Sequence, residues 1–362
     1  MPTTAHSSIS YPPNYTFDAK IGAGAFSKVY KALSRTNGGV YAIKVISVDT
    51  ISLLKDTLRE IQLMHRLKHQ RVMPLIQTMI QREGTTLNVY LVMPKYDTSL
   101  DYVIRSPQPL SEAHTKYFLR QILDGLEFMH FNLILHRDLK PANLLIMADC
   151  TIVIADMGAS CAILTRTLPD VERSHALTYV VVTLTYRAPE IFLTNGAYST
   201  PIDMWSVGCI LYELYTRRRL FDCCDEMAQA RKYVNILGAP TSDELCKISN
   251  RQTRCQFKAH TLTDSRNAGS LRGICRQLPH NAVHMLGRLV TWDPSARLSA
   301  KEALDHPFLL DPSDAITKEL KGLAPPVAIP VGPPTLYHLN NLPTSDELLR
   351  LALIEPNVAM VA

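Results

Sequence analysis

The stretch His136-Arg137-Asp138-Leu139-Lys140-Pro141-Ala142-Asn143-Leu144-Leu145 decides the fold. It crowds polar and turn-favouring residues between a helix ending near Phe131 and an apolar run, a density that core packing does not require. Two of its groups suit phosphoryl transfer, a carboxylate that orients a hydroxyl and a carboxamide oxygen for magnesium. The competing account, a purely structural loop, leaves that density unexplained.

Working outward, Thr151-Ile-Val-Ile-Ala-Asp156-Met157-Gly158 reads as a buried strand ending in a turn, with Asp156 either turn punctuation or a metal ligand held at the strand end. Far upstream, Ile21-Gly22-Ala23-Gly24-Ala25-Phe26-Ser27-Lys28-Val29 is a glycine-rich turn between two strands. Glycines there let backbone amides approach a phosphate, although a plain hairpin has the same composition. A strand follows it, where a dinucleotide-binding site of the Rossmann type needs a helix. In Val40-Tyr-Ala-Ile-Lys44 an ammonium stands among apolar neighbours and needs an anion. Glu60, on the next helix, is a ready partner, so that Lys44 would bridge Glu60 and a nucleotide phosphate.

Composition narrows the class. At 362 residues and 46% hydrophobic content the chain can form a sizeable core and two lobes. Its eight cysteines show no Cys-x-x-Cys spacing, which favours reduced thiols in the cytoplasm, the nucleus or both. The opening MPTTAHSSISYPPNY has neither a basic patch nor an apolar core, so no secretory leader is expected there. The apolar run near Trp205 to Tyr215 is short and holds Glu213, which argues against a membrane span. A net charge of +5 with one dense basic cluster, Arg217-Arg218-Arg219, gives little reason to expect nucleic-acid binding.

Strand-type alternation covers Thr16 to Ile21, Lys28 to Leu33, Val40 to Ser47, Leu75 to Gln81 and Thr86 to Met93. One helix interrupts it between Ser52 and Leu67, where Leu54, Leu58, Ile61, Met64 and Leu67 share a face. Helices then dominate, beginning with Ser111 to Phe131. A further helix is marked by Thr200 as N-cap, Pro201 at its first position and Asp203 completing a capping box. Residues 324–334 (APPVAIPVGPP) read as an extended connector, and Ser345 to Ile354 as a short amphipathic helix packing back on the body.

In order, the glycine-rich loop, Lys44, Glu60, His136-Arg137-Asp138, Asn143, Asp156-Met157-Gly158, Ala188-Pro189-Glu190, Asp203 to Gly208 and Arg297 resemble the motif set of the eukaryotic protein kinases. The resemblance implies an α+β, bilobal protein kinase fold: a flexible N-terminus (1–14), a kinase domain (15–310, with N-lobe 15–93, hinge 94–99 and C-lobe 100–310) and a C-terminal extension (311–362). It also implies an ATP-dependent serine/threonine kinase with Mg²⁺ as cofactor. By this likeness Asn143 and Asp156 hold the metal, Asp138 takes the substrate proton, Lys140 steadies the moving phosphoryl and Lys44 holds the α- and β-phosphates. Val29, Ala42 and Leu145 would sandwich the adenine, with Met93 as gatekeeper and Pro94 and Tyr96 supplying backbone hydrogen bonds. Glu190 and Arg297 would form a structural ion pair.

Thr57-Leu-Arg-Glu-Ile61, Asp203 to Leu211, the acidic turn Asp311-Pro-Ser-Asp314 and Asn341 to Leu349 resemble the mitogen-activated protein kinases more closely. That branch implies basic docking motifs on partners, read by Asp311 and Asp314. Around Val182, Thr183 and Arg187 it implies a pocket for Ser or Thr followed by proline. Ser27, Met157, Cys161 and Thr185 depart from the family pattern without removing a reactive group. Of the branch's Thr-x-Tyr pair, Thr178 holds the first register, but Val180 holds the second and Tyr179 comes one place early. A phosphate placed on Thr178 by an upstream kinase would be received by Arg137 and Arg59, as in the cyclin-dependent relatives; alternatively Thr178 is unused. Two rivals remain to be weighed, an enzyme of the cyclin-dependent type and a pseudokinase scaffold. The second would be marked by loss of Lys44, Asp138, Asn143 or Asp156, and all four are present.

Overall fold

Period-two alternation of apolar residues between Tyr15 and Pro94 produces five antiparallel strands. The computed structural model describes residues 12–83, 86–162, 184–193, 198–223, 225–249, 254–255, 257, 271–310 and 358–360. In its first part, β1 (Tyr15–Ala23), β2 (Ser27–Ser34), β3 (Val40–Val48), helix α1 (Ile51–Arg66), β4 (Gln77–Glu83) and β5 (Thr86–Pro94) follow in chain order. The sheet order is β1-β2-β3-β5-β4, with one more strand beyond β4. One face buries Ala32, Ile43, Val45, Met79, Tyr90 and Val92 in a single cluster. Thr50 caps α1 by accepting the Leu53 amide at 3.3 Å, which fixes the turn from which Glu60 projects.

The second part is mostly helical. It comprises β6 (Thr98–Ser99), α2 (Leu100–Arg105), α3 (Glu112–Phe131), β7 (Ile134–Leu135), β8 (Leu144–Ile146), β9 (Ile152–Ile154) and β10 (Cys161–Ala162). Then come α4 (Pro189–Leu193), α5 (Pro201–Thr216), α6 (Glu226–Leu237), α7 (Ser242–Ile248), α8 (Leu271–Ile274), α9 (His280–Leu289) and α10 (Ala300–Leu304). Small sheets β6-β8-β9 and β10-β7 frame the loop from His136 to Asn143. The chain is therefore mixed α+β, with a strand-rich first part and a helix-rich second. Compact packing divides it slightly differently: one unit takes the chain to Lys68 together with Met73–Tyr96 and the last strand, and the other takes His69–Val72 and Asp97 onward. Among the described residues no helix is long and apolar enough to cross a membrane.

Helix α5 is buried almost all round, from Ile202 to Leu214, and so behaves as the core of its unit. Trp205 stacks on Phe221 at 5.3 Å, and Arg297 lies over Trp205 at 4.9 Å. Arg297 also grips Glu190 through two bonds of 2.6 and 2.9 Å, with both side chains almost fully buried.

Three sequence expectations need correction. The fourth strand starts at Gln77, two residues later than the alternation suggests, although the Ile76 amide still donates to the Val92 carbonyl at 2.9 Å. Thr200 has helical rather than extended backbone angles, so its side chain caps nothing, and the Asp203 carboxylate accepts the amides of His136 and Arg137 instead of completing a capping box. At the C-terminus the structure adds β11 (Val358–Met360), parallel to β4 with Val358 opposite Thr78, where no element was expected. An edge strand offers unpaired backbone groups to such a segment. The expected connector and helix over 324–354 lie outside the described residues.

Gly208 lets α5 approach α9, since a Cβ there would sit 2.4 Å from Val290 Cγ2 and 3.0 Å from Leu289 Cβ. Gly208→Ala is expected to destabilise the protein by about 1–3 kcal/mol through overpacking, measured by urea unfolding. An unchanged midpoint and slope would contradict this packing.

Candidate active site

The loop between β7 and β8 is held from beneath by one carboxylate. Asp203 on α5, 1% exposed, accepts the backbone amides of His136 at 3.0 Å and Arg137 at 2.9 Å, and its Oδ2 lies 2.9 Å from His130 Nε2. Burial pushes its carboxyl up, but the bonds from His130 and the loop amides outweigh that and hold it below the ordinary carboxylate range. The anchored loop turns sharply, with Arg137 at φ 69, a conformation costly for a residue with a Cβ. Arg137 donates Nε–H to the Ala159 carbonyl and lies 3.4 Å from the Tyr198 hydroxyl. Burial works against its charge, yet Cys161, Tyr198 and Asp203 raise its pKa on balance, so the guanidinium stays charged. His136 is fully buried and donates Nε2–H to the Ala155 carbonyl at 3.0 Å, tying the loop to the end of β9.

On this base Asp138, Lys140 and Asn143 converge. Lys140 Nζ is 2.6 Å from Asp138 Oδ2. Asn143 Nδ2 donates to the Asp138 carbonyl at 2.8 Å and to its Oδ2 at 3.2 Å. Two acceptors fix the carboxamide's orientation and leave its oxygen as the group on offer. The Asn143 carbonyl accepts the Ala155 amide at 2.8 Å, which puts Asp156 one residue beyond that contact. Asp156 is exposed and left-handed, with φ 65, while Met157 next to it is buried in the body.

The donor set suits Mg²⁺. Among the described residues no group of three or more His, Cys, Asp and Glu side chains forms a metal cage. A carboxylate and a carboxamide oxygen are the donors that Mg²⁺ uses when phosphates and water complete its shell.

Within the first unit, taken alone, Lys44 Nζ lies 2.7 Å from Glu60 Oε1, with both side chains largely buried. Between β1 and β2 the Gly24 amide bonds the Ser27 carbonyl at 2.8 Å, closing a tight turn whose tip, Phe26, is 71% exposed. On β3, Ala42 is buried opposite Met93 of β5. Arg59 pairs with Asp56 at 2.8 Å. In the second unit Leu145 sits on β8, half-buried, and Arg187 is buried with Nη1 3.2 Å from Glu226 Oε1. Val182, Thr183, Thr178, Tyr179, Asp311 and Asp314 lie outside the described residues.

Sequence reasoning missed Asp203 as the loop's anchor. Its Thr-Pro-x-Asp setting mimics a helix cap, and only its burial distinguishes the two roles. His130 and Glu226 carried no motif at all.

The protein kinase domain model matches residues 15–309. The chain is 37% identical over 319 residues to extracellular signal-regulated kinase 1 of Dictyostelium discoideum, covering 85% of this chain and 58% of that relative's length. It is 38% identical over 292 residues to mitogen-activated protein kinase 5 of indica rice, covering 80% and 76%. With mitogen-activated protein kinase spk1 of Schizosaccharomyces pombe the identity is 35% over 328 residues, covering 90% and 86%.

Removing the anchor should loosen the loop. Asp203→Ala is expected to cost about 3 kcal/mol of unfolding free energy, because three buried donors lose their acceptor. In the wild-type chain the folded pKa of Asp203 lies below the unfolded one, so its contribution is complete above about pH 4 and is lost as pH falls through the lower folded value. Denaturant unfolding from neutral to acid pH checks both. Equal stability of variant and wild type at neutral pH would contradict the anchoring role.

Proposed function

The chain belongs to the protein kinase family, with mitogen-activated protein kinases as relatives over most of its length, and acts as a serine/threonine protein kinase in signalling; from that premise we propose a proline-directed enzyme whose reacting groups are those gathered around Asp138. The observation that carries this is the Asp138 carboxylate. One oxygen is fixed by Lys140 and Asn143, and Oδ1 is left for a substrate hydroxyl. It orients that hydroxyl and takes its proton as the hydroxyl oxygen bonds the γ-phosphorus of ATP and the bond from that phosphorus to the bridging oxygen breaks, releasing ADP.

Lys140, beside Asp138, offers positive charge to the transferring phosphoryl. Lys44, held by Glu60 at 2.7 Å, serves the α- and β-phosphates. Asn143 and Asp156 are the proposed holders of Mg²⁺, which when bound neutralises charge on the phosphates. The glycine-rich turn from Ile21 to Val29 supplies backbone amides for the phosphates. Ala42 and Leu145 give apolar contact to the base, Met93 borders it, and Pro94 and Tyr96 offer backbone hydrogen bonds.

Val182, Thr183 and Arg187 form the proposed proline pocket, and Thr178 the site of an upstream kinase. Asp311 and Asp314 would receive a partner's basic docking motif. Residence in the cytoplasm, the nucleus or both fits these partners. The scaffold reading has no residue in its favour, since Lys44, Asp138, Asn143 and Asp156 are all retained.

The test is transfer of labelled γ-phosphate from Mg-ATP to matched Ser-Pro and Ser-Ala peptides. Wild type should favour Ser-Pro, and Asp138→Asn should lower the rate about a thousandfold. After treatment with an upstream kinase, Thr178→Ala should escape the stimulation seen in wild type. Full transfer by Asp138→Asn would overturn the assignment of roles, and equal use of both peptides would overturn proline direction.

A further inference from the structure

Three residues on one face of α6, at the first, fourth and eighth positions, all reach the segment Leu184–Arg187. Glu226 pairs with the Arg187 guanidinium at 3.2 Å. Gln229 donates to the Leu184 carbonyl and to the Tyr233 hydroxyl, and that hydroxyl donates to the Arg187 carbonyl. Burial raises the Tyr233 pKa well above its ordinary value, so the phenol keeps its proton and remains a donor. From α5, Ser206 donates to the Tyr186 carbonyl at 2.8 Å, and the Tyr186 hydroxyl donates to Glu213 at 2.6 Å. The carbonyls of Leu184, Tyr186 and Arg187 are thus each taken by a side chain of α5 or α6.

Arg187 is 9% exposed, and a guanidinium so far out of water requires an anion. Glu226 meets that need from the first turn of α6, where the helix dipole favours a carboxylate. Asp225 caps the same turn by accepting the Ala228 amide at 2.7 Å, so the position of Glu226 is fixed by the helix start.

We infer that Glu226, with Gln229 and Tyr233, is a specificity-determining positioning group: it sets the Arg187 side chain and through it the preference for proline after the phosphorylated residue. This rests on the proline-directed reading above.

The experiment compares wild type, Glu226→Gln, Glu226→Asp and Tyr233→Phe, all phosphatase-treated, on Ser-Pro and Ser-Ala peptides. In Glu226→Gln the Ser-Pro to Ser-Ala ratio of kcat/KM should fall about fivefold, the effect of one partly exposed ion pair. The change should appear in the peptide KM, with the KM for ATP and kcat at saturating peptide unchanged. Glu226→Asp should recover part of the ratio, and Tyr233→Phe should lower it as well. If wild type itself shows no Ser-Pro preference, proline direction fails and this inference with it. If wild type prefers Ser-Pro and Glu226→Gln keeps the full ratio, or loses kcat on both peptides equally, the positioning role alone is overturned.

Discussion

One buried carboxylate shapes the loop that carries the residues proposed for chemistry. Asp203 takes two consecutive backbone amides, those of His136 and Arg137, and meets the ring of His130 as well. Consecutive amides can point at one acceptor only if the chain turns abruptly, and Arg137 accordingly adopts a left-handed conformation. That strain is tolerated because the carboxylate, the Ala159 carbonyl and the Tyr198 hydroxyl hold the turn from three sides. Asp138 follows directly, and its direction is a consequence of the turn.

The helix bearing Asp203 organises more than the loop. Along α5, Asp203 holds the loop that begins at His136, Ser206 and Glu213 hold the segment around Tyr186, and Gly208 admits α9. A helix buried almost all round has little solvent face on which to relax, so these attachments share one firm base. Arg297, bonded to Glu190 and lying over Trp205, fixes the start of α4 to the same base. The groups proposed for chemistry and those proposed for substrate selection therefore share one support within the second unit.

Much of this was legible in the sequence. Alternation marked the five strands, and the spacing of Leu54, Leu58, Ile61, Met64 and Leu67 marked α1, because period and burial coincide there. The residues proposed for the reaction stood out because Asp138, Lys140 and Asn143 lie in one short loop. Asp203 and Glu226 were not legible in their roles. Their partners are sixty-odd and about forty residues away in the chain, and nothing local distinguishes a carboxylate that caps its own helix from one that reaches across the fold. The strand Val358–Met360 was missed for a similar reason, since its partner is the open edge of β4.

As the anchor of the loop, Asp203 is expected to position Asp138 without touching nucleotide. The most direct measurement is of Asp203→Asn, with ATP affinity from a fluorescent nucleotide set beside the single-turnover rate of peptide phosphorylation. ATP affinity is expected to stay within about twofold of wild type and the transfer rate to fall about a hundredfold, since a 1 Å displacement of a reacting group is enough for that. An unchanged transfer rate, or a loss confined to ATP binding, would contradict it.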